Sequence, residues 1–207
     1  MDKSLFKFSV RDICEIAMMC ALGIAIDSLF NFHIGENGGS ISFSCVPLFI
    51  VSYRHGWFKG FIASGIVFGF ITCVLDGWGL ACYPFDYLIA FGSIGIAGLF
   101  GKKIYKYVGQ DNVKSKLMAL LLILITVLIH GAIRFVSSTV SSVVIWHKSL
   151  IEGIAYQATY VPATCAVLVV FLYVLLPALS AVSKQYPTTY LQEEKQLEKE
   201  EKEQINE

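Results

Sequence analysis

Asp86 stands near the start of the stretch PFDYLIAF, the opening of an apolar run from Pro84 to about Phe100, and no Lys or Arg lies close to it in sequence. An ionisable side chain inside a membrane segment is expensive, so it usually faces a protein-lined or wet cavity and marks a functional site. The alternative is a position just outside the hydrocarbon, where Asp86 would cap the helix that follows Pro84. Asp27 either lines the same cavity or snorkels to the interface. Arg134, inside another apolar run, needs a carboxylate (Asp86, Asp27 or Glu152) or carbonyls at a helix end. His130, one turn earlier, reads as a hydrogen-bonded core residue. Arg134, Ser138, Ser142 and Trp146 are each four apart and share one stripe if helical. The Ser/Thr-rich stretch 137–142 is too polar to face lipid. Glu152, Tyr156, Gln157 and Tyr160 add polar and aromatic groups at the start of the last run. Together these residues suit a small, planar, polar ligand held by stacking and a few convergent bonds.

The surrounding chain is built for a membrane. Of its 207 residues 56% are hydrophobic and only 15% charged, against about a quarter charged in a soluble domain; mean hydropathy is +0.64. Residues 193–207 hold seven Glu and three Lys, a balance of −4, which leaves +4 on the rest of a formally neutral chain. This tail reads as a solvated, charged helix without a site. The six cysteines form no CxxC pair and no zinc-ligand spacing with histidine, so they read as small core side chains. No phosphate-binding loop and no basic–aromatic groove for nucleic acid is present, and no cofactor is indicated.

Six apolar segments, 13–31, 41–53, 57–75, 84–101, 117–136 and 154–182, predict an all-α integral membrane protein, a six-helix bundle with both termini cytoplasmic. Most match the ~17–25 residues a helix needs to cross the hydrocarbon. The second is short and could be re-entrant, but charge argues that it crosses. With six crossings Lys3, Lys7, Arg11, Arg54, Lys59, Lys102, Lys103, Lys106, Lys114, Lys116, Lys184, Lys195, Lys199 and Lys202 all fall inside, leaving only Arg134 and Lys148 elsewhere. The expected division is a cytoplasmic N-terminus over 1–12, a substrate-binding bundle over 13–182 and a tail over 183–207. Loops 33–40, 76–83 and 137–152 then face outward. Trp78 in the second of them suits an interfacial anchor. On the first helix Ala17, Ala21 and Ala25, four apart, offer a face that another helix can approach closely, within this bundle or on a partner.

The stretches GGSISFSCVPLFIVSYRHGWFKGFIASGIVFGF and FDYLIAFGSIGIAGLFGKK resemble the thiamine-specific substrate-binding subunits of energy-coupling-factor transporters, over about residues 17–176. The resemblance implies six helices with both ends inside, in a multi-pass protein of a bacterial cell membrane. It implies docking of Ala17, Ala21 and Ala25 on a transmembrane coupling protein that carries two ABC ATPases, and capture of thiamine near the outer face. The family's acidic–aromatic pair falls at Asp86 and Tyr87, with Asp in place of the more usual Glu. Its arginine falls at Arg134, its stacking tryptophan at Trp146, and its asparagine at Gln157. Other positions depart from the pattern. A histidine is replaced by Ser138 and a first-loop tryptophan by a residue near Gly38; a last-helix tyrosine falls near Glu152, and another tyrosine has its nearest counterpart at Asp76 or Trp78. A thiamine precursor or another small vitamin is the alternative ligand. An intramembrane enzyme would need a nucleophile–base pair or metal ligands at membrane depth, and the scattered histidines argue against it. An ion-coupled carrier would show paired repeats or interrupted helices, which the sequence does not display.

Overall fold

A computed structural model describes residues 6–30, 32–33, 40–41 and 43–192; Asn31, Gly38 and the charged tail lie outside them. Helix α1 (Val10–Leu29) begins with a capping box in which the Ser9 hydroxyl and the Asp12 carboxylate each accept the other residue's backbone N–H. After it, Phe32–His33 pairs antiparallel with Ser40–Ile41. Helix α2 (Cys45–His55) ends at Gly56, whose φ of 85° turns the chain into α3 (Trp57–Asp76). A tight turn leads to α4 (Leu80–Leu99), a short α5 (Gly101–Val108), then α6 (Val113–Val144) and α7 (Leu150–Gln185). Successive helices run back and forth, so the end where α1 begins is here the proximal end and the other the distal end.

Among the described residues four helices, α3, α4, α6 and α7, are long and apolar enough to cross a membrane. The apolar side chains left exposed on them, such as Leu121, Leu124 and Leu128 on α6 and Val170 and Val174 on α7, form the surface that lipid would cover. Helix α2 is the centre of the bundle, because all eleven of its residues are buried. That burial includes Ser52, Arg54 and His55, which lower its hydropathy and explain why it reads as a short apolar segment. Tyr53 on α2 meets the Thr126 hydroxyl of α6 at 2.7 Å, and Ser93 on α4 meets His130 Nδ1 of α6 at 2.7 Å. His130 is thus the bonded core residue its spacing suggests, with its ring edge against Phe49. Cys20, Cys45, Cys73 and Cys82 are buried as core side chains and Cys165 is half-buried, whereas Cys14 is exposed on α1 and is not the core residue expected.

The helices differ from the predicted segments in ways that matter for the site. α6 continues eight residues past the expected end at 136, because its Ser/Thr-rich last turns face other helices instead of lipid. α5 is amphipathic, and its lysines hide it from a search for apolar runs. α3 is π-helical over Ile62–Phe68, and α4 is π-helical over Tyr83–Ile89 and 3-10 over Ser93–Leu99. Such departures from α geometry gather at functional sites.

Close backbone approach holds α4 against α2 and α3. A methyl group on Gly98 would lie 2.4 Å from both Gly56 C and Trp57 N, and 2.7 Å from Ser52 O. All three are backbone atoms, which cannot swing aside. Gly98→Ala should therefore lower stability by about 1–3 kcal/mol, seen as a lower melting temperature in detergent; an unchanged melting temperature would show that these backbones are not in contact.

Candidate ligand site at the distal end

Asp86 lies in the first turn of the π-helical part of α4. It does not cap that helix; its carboxylate instead accepts the Ser141 hydroxyl from α6. The Ser138 hydroxyl reaches the same carboxylate. One residue earlier, Phe85 O accepts the Ser137 hydroxyl at 2.6 Å. Ser137 and Ser141 are therefore spent on α4 and Thr139 on its own helix, to Phe135 O, which explains how so polar a run sits in the bundle: these hydroxyls find protein partners. Ser142 bonds within its own helix, to Ser138 O at 2.9 Å.

Arg134 meets aromatic faces instead of the carboxylate expected for it. Its guanidinium carbon lies 5.1 Å from the Phe91 ring centre and 5.8 Å from that of Tyr160, within the range of cation–π attraction. Asp27 and Asp86 act on it through space. Tyr160 donates its hydroxyl to Gln157 Oε1 and stacks edgewise on Tyr156 at 5.5 Å. Tyr160 thus gathers Arg134 of α6 and Gln157 and Tyr156 of α7 by direct contact.

The other anticipated residues are placed around it. Tyr87, buried, donates to Asp76 Oδ2 at 2.8 Å, joining α4 to the last residue of α3. Between them the turn depends on Gly77 and Gly79, with φ of 72° and 95°. That turn carries Trp78, whose ring packs edgewise on Trp146 with centroids 5.6 Å apart. Trp146 remains 43% exposed. Ser138 is buried. Glu152 stands apart: it is exposed and completes a capping box with Ser149 at the start of α7, accepting Ser149 N–H at 2.9 Å. Lys148 lies over the Tyr156 ring at 5.5 Å. Sequence reasoning missed Ser141 as the partner of Asp86 and Phe91 as a wall for Arg134. The Ser149-x-x-Glu152 spacing was a legible sign of the cap.

Comparison with known proteins places the chain. Residues 13–186 match the family described as thiamine transporter protein (Thia_YuaJ). The thiamine transporter ThiT of Bacillus subtilis is 28% identical over 182 residues, covering 81% of this chain and 92% of that protein. A solved structure of ThiT from Listeria monocytogenes shares the fold with a TM-score of 0.69 at 20% identity, over 87% of this chain and 97% of that one.

The two serines give a paired test of the interhelical bond. Ser141→Ala leaves a partly buried carboxylate short of a donor and should cost about 1–3 kcal/mol. Ser142→Ala loses only a bond to its own helix and should cost well under half as much. Equal losses in detergent denaturation would mean that the Asp86–Ser141 contact does not hold α4 to α6.

Proposed function

This chain belongs to the thiamine transporter protein family, and on that premise we propose that it captures thiamine at its distal end as the substrate-binding subunit of an energy-coupling-factor transporter. It is a multi-pass protein of a bacterial cell membrane and a transporter, not an enzyme. In the proposed topology α1, α2, α3, α4, α6 and α7 each cross the membrane, with both termini in the cytoplasm and the distal end outside. The lysine-rich α5 and the α5–α6 turn then lie inside, in keeping with the positive-inside rule. The membrane bundle comprises 13–182, between cytoplasmic segments 1–12 and 183–207.

The observation that carries this reading is the carboxylate of Asp86, held by α6 hydroxyls beside Tyr160, Gln157 and the aromatic-walled Arg134. Thiamine is a cation with a planar aminopyrimidine and a thiazolium ring. Asp86 would accept the aminopyrimidine edge, Trp146 would stack on one ring, and Gln157 and Ser138 would bond the remainder, with Tyr87 held in place by Asp76. Arg134 would contribute through bonds to polar atoms, since its charge opposes that of the ligand. Glu152 would act only at long range, by charge. A thiamine precursor with the same aminopyrimidine would satisfy Asp86 equally, and competition between the two ligands separates them.

Release inside needs energy, which we assign to a transmembrane coupling protein with two ABC ATPases. Ala17, Ala21 and Ala25 are all exposed on α1, so their face is available for close helix packing.

Purified protein should lose tryptophan fluorescence on thiamine binding, and Trp146→Ala should abolish that response. Asp86→Asn should weaken binding by the ~1.5–3 kcal/mol of a charged hydrogen bond. Unchanged affinity in Asp86→Asn would remove this residue from the site. For docking, Ala21→Trp should block cellular uptake while ligand affinity survives; undiminished uptake would contradict the role given to α1.

A further inference from the structure

At the proximal end, far from Asp86, a second set of charges is buried. Lys59 on α3 is 0% exposed and donates to Asp12 Oδ2 at 2.9 Å, and the Thr189 hydroxyl donates to the same oxygen at 2.8 Å. One turn along α1, the Glu15 carboxylate takes two bonds from Arg54 of α2, that from Nη2 at 3.1 Å. Arg54 also reaches the Ser183 hydroxyl of α7. His55 lies between the two carboxylates, its ring nitrogens 3.6 Å from Asp12 Oδ1 and 3.5 Å from Glu15 Oε1. Residues 187–192 close the cluster as a strap. Besides Thr189, Thr188 donates to Arg54 O, and Tyr190 donates to Gly98 O at 3.1 Å. Two carboxylates of α1 are thus gripped by α2, α3 and the strap, and Arg54 ties the cluster on to α7.

Buried ion pairs add little stability over well-packed apolar residues, but their directional bonds can select one arrangement. Here the arrangement selected is that of α1. Asp12 and Glu15 fix its roll and depth, and Ile16, Cys20 and Gly23 continue the inward face. Ala17 lies roughly 140° round the helix from Asp12, so holding Asp12 inward holds Ala17, Ala21 and Ala25 outward. We propose that Asp12, Glu15, Arg54, Lys59 and Thr189 form a clasp that sets α1 for docking on the coupling protein. They would be positioning residues for transport and not for ligand capture. This rests on the reading of α1 as the docking helix.

The test uses full-length protein with its coupling protein and ATPases. It compares thiamine affinity by tryptophan fluorescence, cellular uptake, and co-purification of the coupling protein. Two variants open the clasp: Asp12→Asn with Lys59→Met, which removes both charges together, and truncation after Tyr186, which removes the strap. Both should keep their thiamine affinity and lose about ten-fold or more in uptake and co-purification, within the range of coupling between distant sites. Lys59→Arg, which keeps the charge, should retain most of the uptake. Normal uptake in the opened variants would overturn the proposal, as would a parallel loss of thiamine affinity, which marks a merely structural role. Ala21→Trp separates the two readings. If it blocks uptake while the opened variants transport normally, only the clasp fails; if it too transports normally, the docking role of α1 fails and the clasp with it.

Discussion

In hydrocarbon a polar group must find its partner within the protein. The Asp86 carboxylate, met by the Ser141 hydroxyl across the α4–α6 interface, is where that constraint shapes this molecule most. It explains why α6 carries so many hydroxyls near its distal end, and why they face α4 and not lipid. It also explains the company around Asp86, where Tyr160 and Gln157 satisfy each other and Arg134 is covered by rings.

The bundle keeps two kinds of polar chemistry at opposite ends. At the distal end the charged groups Asp86, Asp76 and Arg134 are met by hydroxyls and aromatic faces. The proximal end uses full charges in direct pairs, Lys59 with Asp12 and Arg54 with Glu15, already committed to each other. Between them the helices are joined by close contact. Gly65 and Gly92 meet so tightly that a methyl on Gly65 would lie 2.9 Å from the Gly92 Cα. Rigid contact of this kind lets a constraint imposed at one end hold along the whole length of α3 and α4.

Much of the bundle was legible in the sequence because lipid exposure leaves a strong apolar signal. α3, α4, α6 and α7 are found by that signal; α2 gives a weak one, because a fully buried central helix has no lipid face and can carry Ser52, Arg54 and His55. The Ser/Thr stretch of α6 was recognised as facing protein, but which hydroxyl meets Asp86 depends on the π-helical phase of α4, which no periodicity reveals. Asp76 and Tyr87 meet only because Gly77 and Gly79 fold the turn back. Arg54 and Lys59 were visible as charges flanking a turn, yet their side chains turn into the bundle, toward carboxylates of α1 that no sequence pattern singles out. Charge counting fixes the side of the membrane and says nothing of the direction in which a side chain points.

Hydrogen–deuterium exchange of the detergent-purified protein, with and without saturating thiamine, addresses the distal site most directly. Ligand held among α4, α6 and α7 should slow exchange in residues 76–91 and 137–160 and leave 10–17 and 54–60 unchanged. Protection confined to the proximal end, or none in either distal segment under saturating ligand, would contradict a thiamine site built around Asp86.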